Sequence, residues 1–319
     1  MVAQRRLRKP RTSTDLKIPV LLNRSGGTLA AKPELAKEVR QALKQAGIDA
    51  KVELLDGSEC AKRFAALAKH AHPLLIVGGG DGTISGAASE LAGTKTALGI
   101  LPLGTLNHFA RDLGIPTDIA QAIQVIAAGK QRRVDVAEMN GRVFINNSAI
   151  GLYPLMVIDR ERQQDRLGRS KKLAMIIASA RTLARFGHRR LSLTVNDEKA
   201  VVNTPLLFVG NNDYRIDLGA AGQRESLDDG QLCVLVMRKK TRVGFIAAGI
   251  RALFNRARSD DMVRLDGVER LRVSSKRGQL AVSLDGEVVR VKTPVDYKIR
   301  KKALRVVAPG KDEASGKPS

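Results

Sequence analysis

Two glycine-rich turns, Gly78-Gly79-Gly80-Asp81-Gly82-Thr83 and Pro102-Leu103-Gly104-Thr105-Leu106-Asn107, constrain the fold of this chain more than anything else in it. Each follows a short aliphatic run, residues 74–77 in the first case and 98–101 in the second, and each precedes a helical pattern. Strand, turn and helix repeated in this way predict a parallel sheet with helices on both faces. Glycine admits positive φ and lets the backbone come close to a ligand. The helix N-terminus behind it offers unpaired N–H groups and the positive end of a dipole. The two turns together read as a nucleotide-phosphate site.

The alternation extends to either side of them. Residues 17–23 and 51–55 read as strands, and 33–46 as a helix with Leu35, Val39, Ala42 and Leu43 on one face. Residues 59–70, 84–91, 107–113 and 118–128 read as helices and 97–101 as a strand. After Gly129 strand patterns dominate, over 133–139, 142–150, 191–195, 199–209, 231–237, 268–274, 279–284, 287–293 and 297–307. Asn140-Gly141, Asn196-Asp197 and Asp285-Gly286 join several of these as hairpins, and helical stretches at 171–186 and 243–255 interrupt them. The expected organisation is a basic tail over 1–16, a nucleotide-binding α/β domain over 17–140, a mostly antiparallel β-sandwich domain over 141–309 and a tail over 310–319.

The chain carries 55 Lys and Arg against 32 Asp and Glu, a net charge of +23, which calls for an anionic partner. Only 3% of the residues are aromatic and there is no Trp, which disfavours a base-stacking platform for nucleic acid; an anionic phospholipid surface and a merely solvated basic surface both answer to the charge. No apolar run approaches the ~20 residues of a spanning helix, and the run behind the basic N-terminus is too short for a signal peptide. The two cysteines, Cys60 and Cys233, form no CxxC pair, so neither a disulfide framework nor a zinc site is expected and a cytoplasmic compartment fits.

Four segments occur in a telling order: Asn23-Arg24-Ser25-Gly26-Gly27, the two glycine-rich turns, and Leu284-Asp285-Gly286-Glu287. In that order, over about residues 19–307, they resemble the diacylglycerol kinase catalytic family, which includes sphingosine and ceramide kinases and soluble bacterial lipid kinases. The resemblance implies a Rossmann-like α/β domain of the NAD kinase/phosphofructokinase type, a β-sandwich domain, and an active site in the cleft between them. It implies an ATP- and magnesium-dependent lipid kinase acting at the inner membrane surface. Asn23, Arg24, Ser25, Gly26, Gly27, Gly79, Gly80, Asp81, Gly82, Thr83, Ile84, Ser85 and Thr105 would hold ATP, with Asn107 positioning nucleotide or polar neighbours.

Chemistry gives several of these residues a task of their own. Asp81 is a carboxylate among glycines, a poor partner for phosphate unless magnesium lies between. Phosphoryl transfer to an alcohol needs a carboxylate near the attacking hydroxyl, and the resemblance makes Glu287 that general base; a plain hairpin acid would occupy the same place. The Asp228-Asp229-Gly230 turn suits magnesium, and the resemblance implies Asp229 as side-chain ligand with main-chain oxygens of Ser226 and Gln231; an ordinary Asp-Gly turn answers to the same residues. Two positions depart from the family's pattern. His108 stands where an acidic residue often follows the asparagine, and Arg24 where proline follows the first asparagine. An NAD kinase shares the Gly-Gly-Asp-Gly-Thr turn and is the alternative enzyme. A nucleotide-regulated membrane- or nucleic-acid-binding protein without catalysis is the alternative from another class. The lipid acceptor and the oligomeric state have no signature in the sequence.

Overall fold

The computed structural model describes residues 17–70, 72–151, 187–214, 224, 226–238, 241, 244 and 261–310. Four parallel strands, β1 (Ile18–Asn23), β2 (Ala50–Leu55), β3 (Leu74–Gly79) and β4 (Ala97–Pro102), lie in the order β2-β1-β3-β4. β1, β3 and β4 are buried almost end to end, which is why they read as unbroken aliphatic runs. Around them run α1 (Gly27–Ala31), α2 (Leu35–Gln45), α3 (Gly57–Ala68), α4 (Asp81–Leu91), α5 (His108–Asp112) and α6 (Ile119–Ala128). α2 buries Leu35, Ala36, Val39 and Leu43, and α4 buries Ile84, Ala87, Ala88 and Leu91. Asp118 caps α6 by accepting from the Gln121 amide at 2.9 Å, and Gly129 ends it at φ 66. The order reverses between β1 and β3, so their carboxyl ends, Asn23 and Gly79, flank the crevice where open α/β sheets take ligands.

The later strands build an antiparallel sandwich. β5 (Gln131–Met139), β6 (Arg142–Phe144), β8 (Arg189–Val195), β9 (Glu198–Thr204), β13 (Arg270–Ser275) and β16 (Val295–Val307) enlarge the first sheet to ten strands. β7 (Asn147–Gly151), β10 (Leu206–Asn211), β11 (Leu232–Met237), β12 (Met262–Val268), β14 (Gln279–Leu284) and β15 (Glu287–Lys292) form a second sheet in the order β12-β11-β10-β7-β14-β15. Phe144, Leu193, Val273 and Tyr297 from one sheet meet Ile150, Val209, Val234 and Val282 from the other in a common core. The fold class is the expected one, a doubly wound α/β half of order β2-β1-β3-β4 joined to a β-sandwich.

The structure differs from the sequence expectation in particular elements. The 142–150 run is two strands, because the chain breaks at Ile145 and Asn146, whose amides turn to the Asp285 carboxylate. The 199–209 run is also two strands. Pro205 has no N–H to donate, and at that point the chain leaves β9 in the first sheet for β10 in the second. Residues 27–31, to which the pattern assigned no helix, form α1, and Met262–Val268 forms an edge strand that the pattern did not show. β16 was expected within the sandwich. Its first residues pair with β13, whereas Arg305 and Val306 pair parallel with Ala97 and Leu98 of β4. The helix expected at 171–186 lies outside the described residues, as does all of that at 243–255 except Gly244. Among the described residues no helix is long and apolar enough to cross a membrane.

Candidate active site

The two glycine-rich turns are locked to each other by backbone contact. A Cβ on Gly104 would stand 2.5 Å from the Gly80 Cα, closer than real atoms come, and one on Gly79 would stand 2.6 Å from the Thr83 Cβ. The Leu103 amide donates to the Gly79 carbonyl at 3.1 Å, and the Thr28 amide at the start of α1 donates to the Leu103 carbonyl at 2.9 Å. Asn107 pins the second turn from within. It is buried at φ 51, accepts from the Gly104 amide at 2.9 Å and donates to the Gly104 and Pro102 carbonyls at 2.9 and 3.3 Å. Both ends of its amide are engaged with the loop, so it holds the turn in place.

Across the β1–β3 crevice, Asn23 Nδ2 donates to Thr83 Oγ1 at 2.8 Å, fixing the end of β1 to the first turn of α4. The Asp81, Gly82 and Thr83 amides open α4 and have no carbonyl within the helix to meet. A Cβ added at Gly82 would meet no atom within 4 Å, so this helix start faces open space suited to phosphate oxygens. Asp81 is half-buried at the same helix start, and its carboxylate makes no hydrogen bond or ion pair among the described residues. Thr105 is exposed on the second turn.

Three residues expected at ATP are engaged elsewhere. Arg24 makes a bidentate pair with Asp56, at 3.0 and 2.7 Å, and the Ser25 hydroxyl donates to the same carboxylate. Asp56 is held well below the usual carboxylate range by these two partners, Arg24 first. Ile84 sits in the core and its amide donates to the Gly80 carbonyl at 3.1 Å, so it offers a ligand neither side chain nor N–H. Gly26 and Gly27 stand at the cap and first position of α1, and a Cβ on Gly26 would come within 3.3 Å of Asn23 Nδ2.

Glu287 begins β15 on the far side of the cleft, exposed after the Asp285-Gly286 turn. Asp285 ties that turn to both halves of the molecule. Its carboxylate accepts from the Ser85 hydroxyl of α4 and from the Ile145, Asn146 and Asn147 amides at 2.9, 2.9 and 3.0 Å. Burial pushes its pKa up, while these donors pull toward the ionised form. Two adjoining clefts result, of about 360 and 610 Å³. Gly82, Gly86, Ser89, Glu90, Arg142 and Glu287 line both of them, and Asn23, Gly26, Gly80 and Thr83 line the larger. Ser85 thus serves as the hydroxyl that fixes Asp285.

The expected metal loop lies apart from this wall, against β5. Gly230 N donates to Asp135 Oδ2 at 2.7 Å, Ser226 Oγ donates to Asp228 Oδ1 at 2.8 Å, and the Gln231 carbonyl accepts from Asn212 N at 3.1 Å. Asp229 is exposed. Among the described residues no three His, Cys, Asp or Glu side chains gather as a metal cluster. An ion at this loop would therefore take one carboxylate and main-chain oxygens, a hard-oxygen set that suits magnesium.

Sequence reasoning missed two positioning groups. Asp285 was legible only as part of the Asp-Gly-Glu turn. Arg224 and Asp112 had no signal: the pair is buried, with nitrogen to oxygen 2.7 Å, and joins α5 to the sandwich. Arg224 also donates to the Ile145 and Asn211 carbonyls at 2.5 and 3.2 Å and lies over the Phe109 and Tyr214 rings.

Comparison with known proteins bears on this arrangement. Residues 17–139 match the diacylglycerol kinase catalytic domain, and residues 157–308 match the YegS C-terminal NAD kinase beta sandwich-like domain. The diacylglycerol kinase of Bacillus subtilis (strain 168) is 27% identical over 276 residues, which are 84% of this chain and 88% of that protein. A Klebsiella pneumoniae (strain 342) protein named "Probable lipid kinase YegS-like" is 39% identical over 135 residues, 41% of this chain and 44% of that one. An uncharacterized Synechocystis protein is 30% identical over 243 residues, 74% of this chain and 54% of its own length. The chain thus spans about half the length of these last two relatives. Among solved structures, a diacylglycerol kinase from Bacillus anthracis str. Sterne superimposes with a TM-score of 0.67 at 20% identity, over 92% of this chain and 97% of that one. Yeast NADH kinase superimposes at 0.53 and 12% identity, over 92% and 84%; these two likenesses concern the fold alone.

Proposed function

The chain belongs to the diacylglycerol kinase catalytic-domain family, and on that premise we propose that it transfers the γ-phosphoryl group of ATP to the hydroxyl of a lipid such as diacylglycerol or a sphingoid base. The observation that carries this reading is that Gly82 and Glu287 line the same two clefts. A helix start open to phosphate, contributed by the α/β half, faces an exposed carboxylate contributed by the sandwich.

In this reading Gly80, Gly82 and Thr83 cradle the phosphates at the start of α4, and Asn23 sets the spacing by holding Thr83. The acceptor hydroxyl approaches Glu287, which takes its proton as the oxygen attacks the γ-phosphorus and the bond to the β-phosphate oxygen breaks, leaving ADP. Magnesium, when bound, neutralises charge on the phosphates; Asp81, and in the outer loop Asp229 with the Ser226 and Gln231 carbonyls, are the residues that would hold it. The net charge of +23 suits an anionic phospholipid surface, on which the acceptor is presented, so we place the reaction at the cytoplasmic face of a membrane.

The test is magnesium-dependent transfer of labelled γ-phosphate to a panel of lipids in mixed micelles, with NAD as a further acceptor, comparing the wild type with Glu287→Gln. Label in a lipid, reduced about 10²- to 10⁴-fold in the variant while ATP still binds, is the expected result. Label in NAD instead would make the chain an NAD kinase. Bound ATP with no labelled acceptor would point to a nucleotide-regulated binding protein.

A further inference from the structure

We propose that Arg142 is the cation that takes the terminal phosphate of the nucleotide in this cleft, an assignment that rests on the phosphoryl-transfer reading above. A transferring phosphoryl group spreads negative charge over three oxygens, and sites for it supply fixed positive charge besides backbone amides. The chain has no Lys or Arg between Gly78 and Asn107 other than Lys95, which lies outside both glycine turns. Arg24, a cation at the end of β1, is committed to Asp56 through its Nε and Nη2 donors.

Among the described residues, the walls of the two clefts offer one cation. Their charged lining consists of the carboxylates Glu90, Asp285 and Glu287 and a single cation among the described residues, Arg142. Arg142 lines both clefts, as do Gly82 and Glu287, so it borders the space between the start of α4 and the base.

Its backbone is held while its side chain is left available. The Asn140-Gly141 turn, at φ 48 and 83, delivers it to β6, where it pairs with Met139, and the next two residues, Val143 and Phe144, are buried. The side chain is exposed, and its guanidinium makes no ion pair or hydrogen bond among the described residues. Several arginines elsewhere are committed to carboxylates, as Arg63 with Glu53, Arg264 with Asp213 and Arg272 with Asp296. An unpaired guanidinium beside a phosphate-seeking helix start is suited to two parallel N–H bonds on phosphate oxygens, a geometry that lysine does not reproduce.

The experiment measures calorimetric binding of MgATP and of adenosine, together with transfer kinetics on phosphatidylglycerol and diacylglycerol micelles. It compares the wild type with Arg142→Ala, Arg142→Lys and, as an exposed arginine far from the clefts, Arg277→Ala. Arg142→Ala is expected to weaken MgATP about 10- to 100-fold and leave adenosine within about twofold, with partial recovery in Arg142→Lys and none of this in Arg277→Ala. Unchanged MgATP affinity in Arg142→Ala overturns the proposal. A loss confined to the KM for phosphatidylglycerol overturns it too, by moving the cation to the lipid headgroup. If the wild type binds MgATP yet labels no lipid, the lipid-kinase reading fails while the binding comparison still judges Arg142. A wild type that does not bind MgATP overturns both.

Discussion

At the residue scale the glycine turns separate stability from binding. Gly104 has no room for a side chain, since its Cβ would press on the Gly80 backbone, whereas Gly82 has nothing within 4 Å. Gly104→Ala is therefore expected to cost about 1–3 kcal/mol, read by urea denaturation, because two backbones must move apart. Gly82→Ala sits in the first turn of a helix, where alanine is favoured by about 0.5–1 kcal/mol. It is expected to be as stable as the wild type or more so, yet to bind ATP more weakly, because the new methyl group enters the space kept for phosphate. Equal losses of stability in the two variants would remove the case for a ligand at Gly82. Asp56 gives a titration to follow. Its folded pKa lies below the unfolded value, so its contribution is present above the ordinary carboxylate range and is lost as pH falls through the folded value. NMR titration of its side-chain carboxyl carbon is expected to show a low midpoint that rises toward the ordinary value in Arg24→Ala.

At the scale of elements, the segment between β6 and β7 is the joint of the site. Its amides at Ile145, Asn146 and Asn147 point to Asp285, and the Ile145 carbonyl and Asn146 Oδ1 accept from Arg224. Through Ser85 the first of these groups reaches α4, and through Asp112 the second reaches α5. Glu287 stands two residues beyond Asp285, so its place relative to Gly82 depends on this joint. Asp285→Asn puts an NH2 group among amide donors and removes part of their acceptor. It is expected to lower kcat while leaving ATP affinity nearly unchanged, a split that simple unfolding would not give. Arg224→Met leaves the Asp112 carboxyl buried without its counter-charge, on a group whose pKa burial already pushes up. A loss of about 3–5 kcal/mol is expected, much of it recovered in the Arg224→Met, Asp112→Leu double variant. Chemical denaturation of all three proteins checks it. An additive double variant would mean that the pair does not act as a unit.

At the scale of the whole molecule, what the sequence made legible was local and what it concealed was long-range. The parallel strands announced themselves because β3 and β4 are buried on both faces and end in glycine turns that a ligand-binding crevice requires. Asn107 was noticed for its place beside Gly104, but nothing in the spacing shows that both ends of its amide turn inward. Arg224 lies 112 residues from Asp112, a separation at which one sequence carries no pairing signal. β16 is the clearest case. As an alternating run near the end it reads as one more sandwich strand, yet it lies between β4 and β13 and also pairs with β5 over nearly its whole length. The first sheet therefore passes through both halves of the molecule. Deleting β16 would strip β4 of one of its two neighbours and take Leu304 and Val306, which are fully buried, out of the α/β core. The two halves are thus expected to unfold together. Scanning calorimetry of the intact chain should show one transition, and a fragment of residues 17–140, which lacks β16, should show no cooperative melting. Two resolved transitions, or a cooperatively melting fragment, would mean that the α/β half closes its own sheet, and that the geometry of the cleft does not depend on the strand the halves share.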